Sequence, residues 1–91
     1  MISIRNEIKA KIIKYHCYVH RTDKIKANGI AIKIIDGYVI LLNENLSAHT
    51  LEKVLIHELL HIELGHLDEY KHLPNSWKEK EVALNMERME L

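Results

Sequence analysis

Apolar residues recur along the first part of the chain at steps of three and four. Ile4, Ile8, Ile12, Tyr15 and Val19 alternate with Arg5, Lys9 and Lys14, and this spacing predicts an amphipathic helix over residues 3–18. Residues 20–29 (HRTDKIKANG) are polar and close on Asn-Gly, which reads as a loop with at most a short edge strand near Ile25. The following GIAIKIIDGYVILLN carries β-branched runs on each side of Asp36-Gly37. A type I′ turn needs positive φ at both central positions, so this pair predicts a hairpin at 30–43 with strands near 30–35 and 38–43. The second strand is apolar on both faces and is expected to be covered on both sides or to lie beside a groove.

Ser47 suits an N-cap, and the helix predicted after it runs from Ala48 to Leu64 and ends at Gly65. Leu51, Val54, Leu55, Ile56, Leu59, Leu60, Ile62 and Leu64 surround that helix, and a helix apolar on all sides is buried. A polar connection holding Pro74 leads to Ser76-Trp77-Lys78-Glu79. Ser-x-x-Glu is a capping box, so a last helix is expected from there towards Leu91. The expected fold is therefore α+β: an N-terminal helix, a small antiparallel sheet, a buried central helix and a C-terminal helix.

With 91 residues the chain is expected to form one domain over positions 1–91 with a thin core, for which a bound metal or partner matters. Apolar residues at 47% and charged residues at 29% exclude a disordered or fibrous class. Thirteen basic and thirteen acidic residues cancel, which argues against direct nucleic-acid binding and against a polybasic membrane surface. No stretch approaches the ~20 apolar residues of a membrane span. The opening residues lack the pattern of a secretion signal, and a lone Cys17 cannot form an internal disulfide. A cytoplasmic protein is expected, with Cys17 as a small packed thiol. Histidine alone is in excess, with seven residues.

Three of those histidines cluster at 57–66, and His57-Glu58-Leu59-Leu60-His61 spells H-E-x-x-H. Positions four apart on a helix with about 3.6 residues per turn project from one face, so both imidazoles reach one zinc ion. Glu58 flanks that face and can take a proton from a water in the metal's open position. Two histidines four apart are often only a surface pair. Here they stand in the most apolar turns of the chain, where an unpaired carboxylate costs several kcal/mol. A metal supplies the missing partner.

A catalytic zinc needs a third protein ligand. His66 is out of frame for the metzincin pattern, which would require glycine and histidine where Leu64 and Leu67 stand; it reads as a helix-end residue or a group behind a ligand. Glu79 and Glu81 are the carboxylate candidates. Glu79 has the capping box to serve, whereas Glu81 shares an arc with Trp77, Val82, Leu84 and Met89 and should face the core. Glu81 also follows His61 by twenty positions, a spacing that resembles thermolysin-like gluzincins. Glu81 is the first choice, with Glu79 and a histidine as alternatives. Asn85 lies four positions after Glu81 and is placed to orient a ligating histidine.

Asn43-Glu44-Asn45-Leu46-Ser47 running into Val54-Leu55-Ile56-His57-Glu58-Leu59-Leu60-His61 and Leu64-Gly65-His66 resembles the ImmA/IrrE metallopeptidases of phages and mobile elements. The resemblance implies a minimal zincin-like metallopeptidase domain, with zinc held by His57, His61 and Glu81 and with Glu58 as general base. The family's last motif is acid-x-x-Ala-Asn/Asp-x-Phe-Ala. In the frame of Glu81 this chain keeps the acid and Asn85 but not the small and aromatic residues, and in the frame of Glu79 it loses the Asn/Asp. The implied activity is peptide hydrolysis, and the implied substrate is a helix-turn-helix repressor. Tyr70, His66 and His72 are candidates to steady the oxyanion. The rival expectation is a non-catalytic interaction module stapled by zinc. Glu58 favours the enzyme, because a structural site has no use for it.

Overall fold

The first helix stops sooner than its apolar spacing predicts. The computed structural model describes residues 5–88, and in it α1 covers only Asn6–Lys14. Tyr15 caps the helix and His16 takes a left-handed φ of 53°, which turns the chain out of the helix. Cys17 and Val19 then alternate with exposed neighbours in β1 (Cys17–Thr22), a strand in place of the expected helix end and loop. Tyr15, Cys17 and Val19 all pack against the core, so a period of two replaces the period of four from this point. Ile4, Met89 and Leu91, used above to draw the terminal helices, lie outside the described residues.

β2 (Gly29–Ile34) and β3 (Gly37–Asn43) form the hairpin, and Ile34 pairs with Gly37. The connection is therefore Ile35-Asp36, one residue earlier than expected, and neither residue has positive φ. Gly37 answers a different need. A Cβ on it would lie 2.1 Å from the His16 carbonyl oxygen, because β1 runs close beside β3 and the Tyr38 amide donates to His16 at 3.2 Å. The strand order is β1-β3-β2, with β1 parallel and β2 antiparallel to β3. The sheet is thus mixed rather than antiparallel throughout. Residues 23–28 carry the chain across the end of β3 to its far edge, and the Asn43 side-chain amide pins that crossing by donating to the Ile25 carbonyl at 3.2 Å.

One face of the sheet makes the core. Ile40 and Leu42 are fully buried there with Leu51, Leu55, Ile56 and Leu59 of α2 (Ala48–Glu63) and Ile8 of α1. The other face leaves Tyr18, Ile30 and Ile32 exposed, so β3 is covered by a helix on one side only.

Both ends of α2 follow the sequence signals. The Ser47 hydroxyl accepts from the Thr50 amide. Gly65 adopts φ 76°, with its amide donating to Ile62 and that of His66 to His61, the two bonds of a Schellman turn. α3 (Asn75–Arg88) begins one residue before Ser76, and the Pro74 carbonyl accepts from Trp77 and Lys78. Ser76 therefore sits inside the first turn, no capping box forms, and Glu79 is released from that role. Val82 is the buried residue of α3, while Trp77 and Leu84 are exposed. Among the described residues no helix is long and apolar enough to cross a membrane.

Candidate metal centre

His57 and His61 stand one turn apart on α2, and their Nε2 atoms approach to 3.2 Å. Glu79 reaches them from α3, with Oε2 3.0 Å from His57 Nε2 and Oε1 2.9 Å from His61 Nε2. Glu79 lies three residues before Val82, so the one buried contact of α3 also turns this carboxylate towards α2. The three side chains form a group with the donor set of a metal site. The donor spacing suits an ion. Ligands at ~2.0–2.1 Å from a tetrahedral zinc are about 3.3 Å from one another, close to the 3.2, 3.0 and 2.9 Å seen here. Two facing imidazole nitrogens and a shared carboxylate gain more from a central cation than from hydrogen bonds alone, since each neutral ring offers one proton.

Glu81, expected from the sequence to complete the site, does not join the two histidines. Its Oε1 lies 2.5 Å from His66 Nε2. The reason is the position of the inward arc of α3. That arc centres on Val82 and Glu79 rather than on Trp77 and Leu84, both of which point to solvent. His66 is buried just past the Schellman turn, and its Nδ1 lies 2.8 Å from His61 Nδ1. Asn85 orients no histidine, because its amide donates to the Glu81 backbone carbonyl at 2.9 Å. Of the three residues considered for the oxyanion, His66 alone lines the cleft over the site; Tyr70 and His72 do not.

Glu58 binds neither imidazole partner and is buried on the sheet side of α2. Burial pushes its carboxyl above the ordinary 4.5; His57 pulls it back, Glu79 adds to the rise, and the Ala31 amide lowers it by hydrogen bonding. Burial likewise holds His61 below its ordinary 6.5, with Glu79 opposing that fall and His57 and His66 adding to it. A ring so disposed keeps the lone pair that a metal needs. Gly29 makes room for the arrangement: a Cβ there would stand 2.6 Å from Val54 Cγ1 and 3.3 Å from Glu58 Cγ. The result is an open cleft of about 560 Å³, with Gly29 and Ala31 of β2 on one side and His57, His61 and Glu79 on the other.

A buried carboxylate beside a His-His-Glu group, under a cleft edged by a strand, has the components that a hydrolytic metal site needs. The model of the Peptidase_M78 family, described as the IrrE N-terminal-like domain, matches residues 2–89. The chain belongs to this family. Comparison with curated proteins and with solved structures gives no significant match. The IrrE N-terminal-like family is one of metal-dependent peptidases, which suggests that activity here, and the match agrees with the α+β architecture. In this member of the family, Glu79 was masked in the sequence by a capping box that does not form. The signal that identifies it is its spacing of three from Val82, the apolar residue that docks α3. The importance of Gly29 was equally hidden, since only the packing of β2 on α2 shows why a side chain is excluded there.

Proposed function

We propose that the chain is a zinc-dependent endopeptidase in which His57, His61 and Glu79 hold the metal and Glu58 is the general base. The observation that carries this reading is the convergence of three ligand atoms next to a buried carboxylate that has no part in ligation. When bound, zinc would polarise the scissile carbonyl and lower the pKa of its water towards ~7. Glu58 takes the proton of the attacking water and returns it to the leaving amine. Its burial supports the second half of that task, because the protonated carboxyl is favoured in that environment. β2 is an edge strand, and Gly29, Ile30 and Ala31 line the cleft, so an extended peptide fits beside it by strand addition. The substrate we propose is a helix-turn-helix repressor, cut in the cytoplasm by a single domain of phage or mobile-element type.

Metal analysis and peptide hydrolysis test the proposal together. Native protein is expected to hold one zinc, and His57→Ala and Glu79→Ala to lose it. Glu58→Gln is expected to keep zinc and fold while hydrolysis falls by ~10²–10⁴. Zinc-loaded native protein that binds helix-turn-helix repressors and leaves them intact would establish the non-catalytic module instead.

A further inference from the structure

A line of polar contacts leaves the metal centre on the side away from Glu58. His61 presents Nε2 to His57 and Glu79, and its other nitrogen, Nδ1, lies 2.8 Å from His66 Nδ1. The opposite nitrogen of His66 lies 2.5 Å from Glu81 Oε1. Two nitrogens 2.8 Å apart share one proton, so one donates and the other accepts. A carboxylate accepts only, so the His66 proton belongs on Nε2, facing Glu81. That leaves His66 Nδ1 as an acceptor and requires His61 to carry its own proton on Nδ1. The Nε2 lone pair of His61 is then free to face the metal. With a cation at His61 Nε2 this arrangement satisfies every contact; without one, Glu79 Oε1, 2.9 Å from His61 Nε2, competes for the same His61 proton.

We infer that Glu81 and His66 are positioning residues for the metal site, acting as a two-step relay that sets the tautomer and orientation of His61. Histidine ligands commonly donate their second nitrogen to a carboxylate directly; here an imidazole is interposed. The fold supplies the reason. The left-handed Gly65 closes a Schellman turn in which the His66 amide donates to the His61 carbonyl at 2.9 Å. The backbone thus folds residue 66 back over residue 61, where such turns commonly place an apolar contact. His66 is 2% exposed, and in the native protein Glu81 is the group that meets its far nitrogen. Glu81 reaches it from α3, two residues after Glu79. One turn of α3 therefore serves both nitrogens of His61: Glu79 faces Nε2, and Glu81 governs Nδ1 through His66.

The inference rests on the proposed metal site, and the test separates the two. Long-range proton–nitrogen NMR of the imidazoles, on metal-free and zinc-loaded protein, reads the tautomers directly. The expected result is His66 protonated on Nε2 in both states, and His61 protonated on Nδ1 in zinc-loaded protein, where Glu79 no longer competes for its proton. Glu81→Ala is expected to scramble the His66 tautomer and weaken zinc binding about 10–100-fold. Glu81→Gln retains an accepting oxygen and is expected to restore most of the affinity and the native tautomer. A role limited to docking α3 would leave the tautomer unchanged. His66 found protonated on Nδ1, or zinc held as tightly by Glu81→Ala as by native protein, overturns the relay. Failure of native protein to bind zinc overturns the metal site, and the metal-free spectra then still decide the proton on His66.

Discussion

Replacing Gly29 by alanine probes the contact on which the placement of Glu58 depends. The new Cβ would lie 2.6 Å from Val54 Cγ1, 3.3 Å from Glu58 Cγ and 3.4 Å from Glu58 Oε2. Carbon atoms rest at about 3.5–4.0 Å, so the Val54 methyl must retreat by about 1 Å. Valine on a helix has essentially one side-chain rotamer, and relief has to come from separation of β2 and α2. Overpacking of this kind costs about 1–3 kcal/mol. Alanine also restricts the unfolded chain and returns about 0.4–1 kcal/mol, which leaves a net loss of about 1–2 kcal/mol. Val54→Ala removes the obstructing methyl and costs about 1 kcal/mol by itself, since Val54 is half-buried. The double variant is then expected to be less destabilised than the sum of the single variants, by at least about 1 kcal/mol. Denaturant titration of the four metal-free proteins measures this coupling. Additivity within about 0.5 kcal/mol would refute the close approach of strand and helix.

Other expectations concern Glu58 and Val82. In the metal-free protein the raised Glu58 value means that the folded state keeps its proton to higher pH than the unfolded chain does. The stability so contributed is full below 4.5 and is lost as pH rises through the folded value. Glu58→Gln is therefore expected to be more stable than native protein near neutrality and equal to it in acid; a gap that narrows as pH rises would contradict this. The lowered His61 value acts in the opposite sense, giving stability above 6.5 that is lost on acidification, and it cancels in that comparison. Val82→Ala removes two buried methyl equivalents and is expected to cost about 2 kcal/mol. Amide exchange should accelerate in α3 far more than in α2, and uniform acceleration would show that α3 does not open separately.

The parts of this protein that were legible in its sequence are those set by local chemistry. Ser47 and Gly65 mark the ends of α2 because a hydroxyl cap and a left-handed glycine act within one turn. The apolar surround of α2 foretold its burial for the same reason. What escaped depends on distant partners. Cys17 and Val19 become a strand because β3 lies beside them to accept pairing, and no nearby residue announces it. Gly37 looks like a turn residue, yet its lack of a side chain serves the approach of His16. In α3 the choice between Glu79 and Glu81 rests on which way a weakly apolar helix faces. Trp77 is the largest apolar side chain in that stretch and misdirects the reading, whereas Val82, small and fully buried, sets the orientation.

Glu79 belongs to a helix that contributes one fully buried side chain, and it meets His61 across eighteen positions of chain. A metal bridging the two closes that loop as a covalent cross-link would, a constraint of about 3 kcal/mol for a loop of this length. The constraint also governs time. An ion held by two residues of a firmly packed helix and one of a loosely packed helix leaves most readily when the latter swings away. Raising the concentration of a chelator should then speed extraction only up to a ceiling, and that ceiling is the rate at which α3 undocks. The protein would in this way hold its metal by a slow gate rather than by affinity alone.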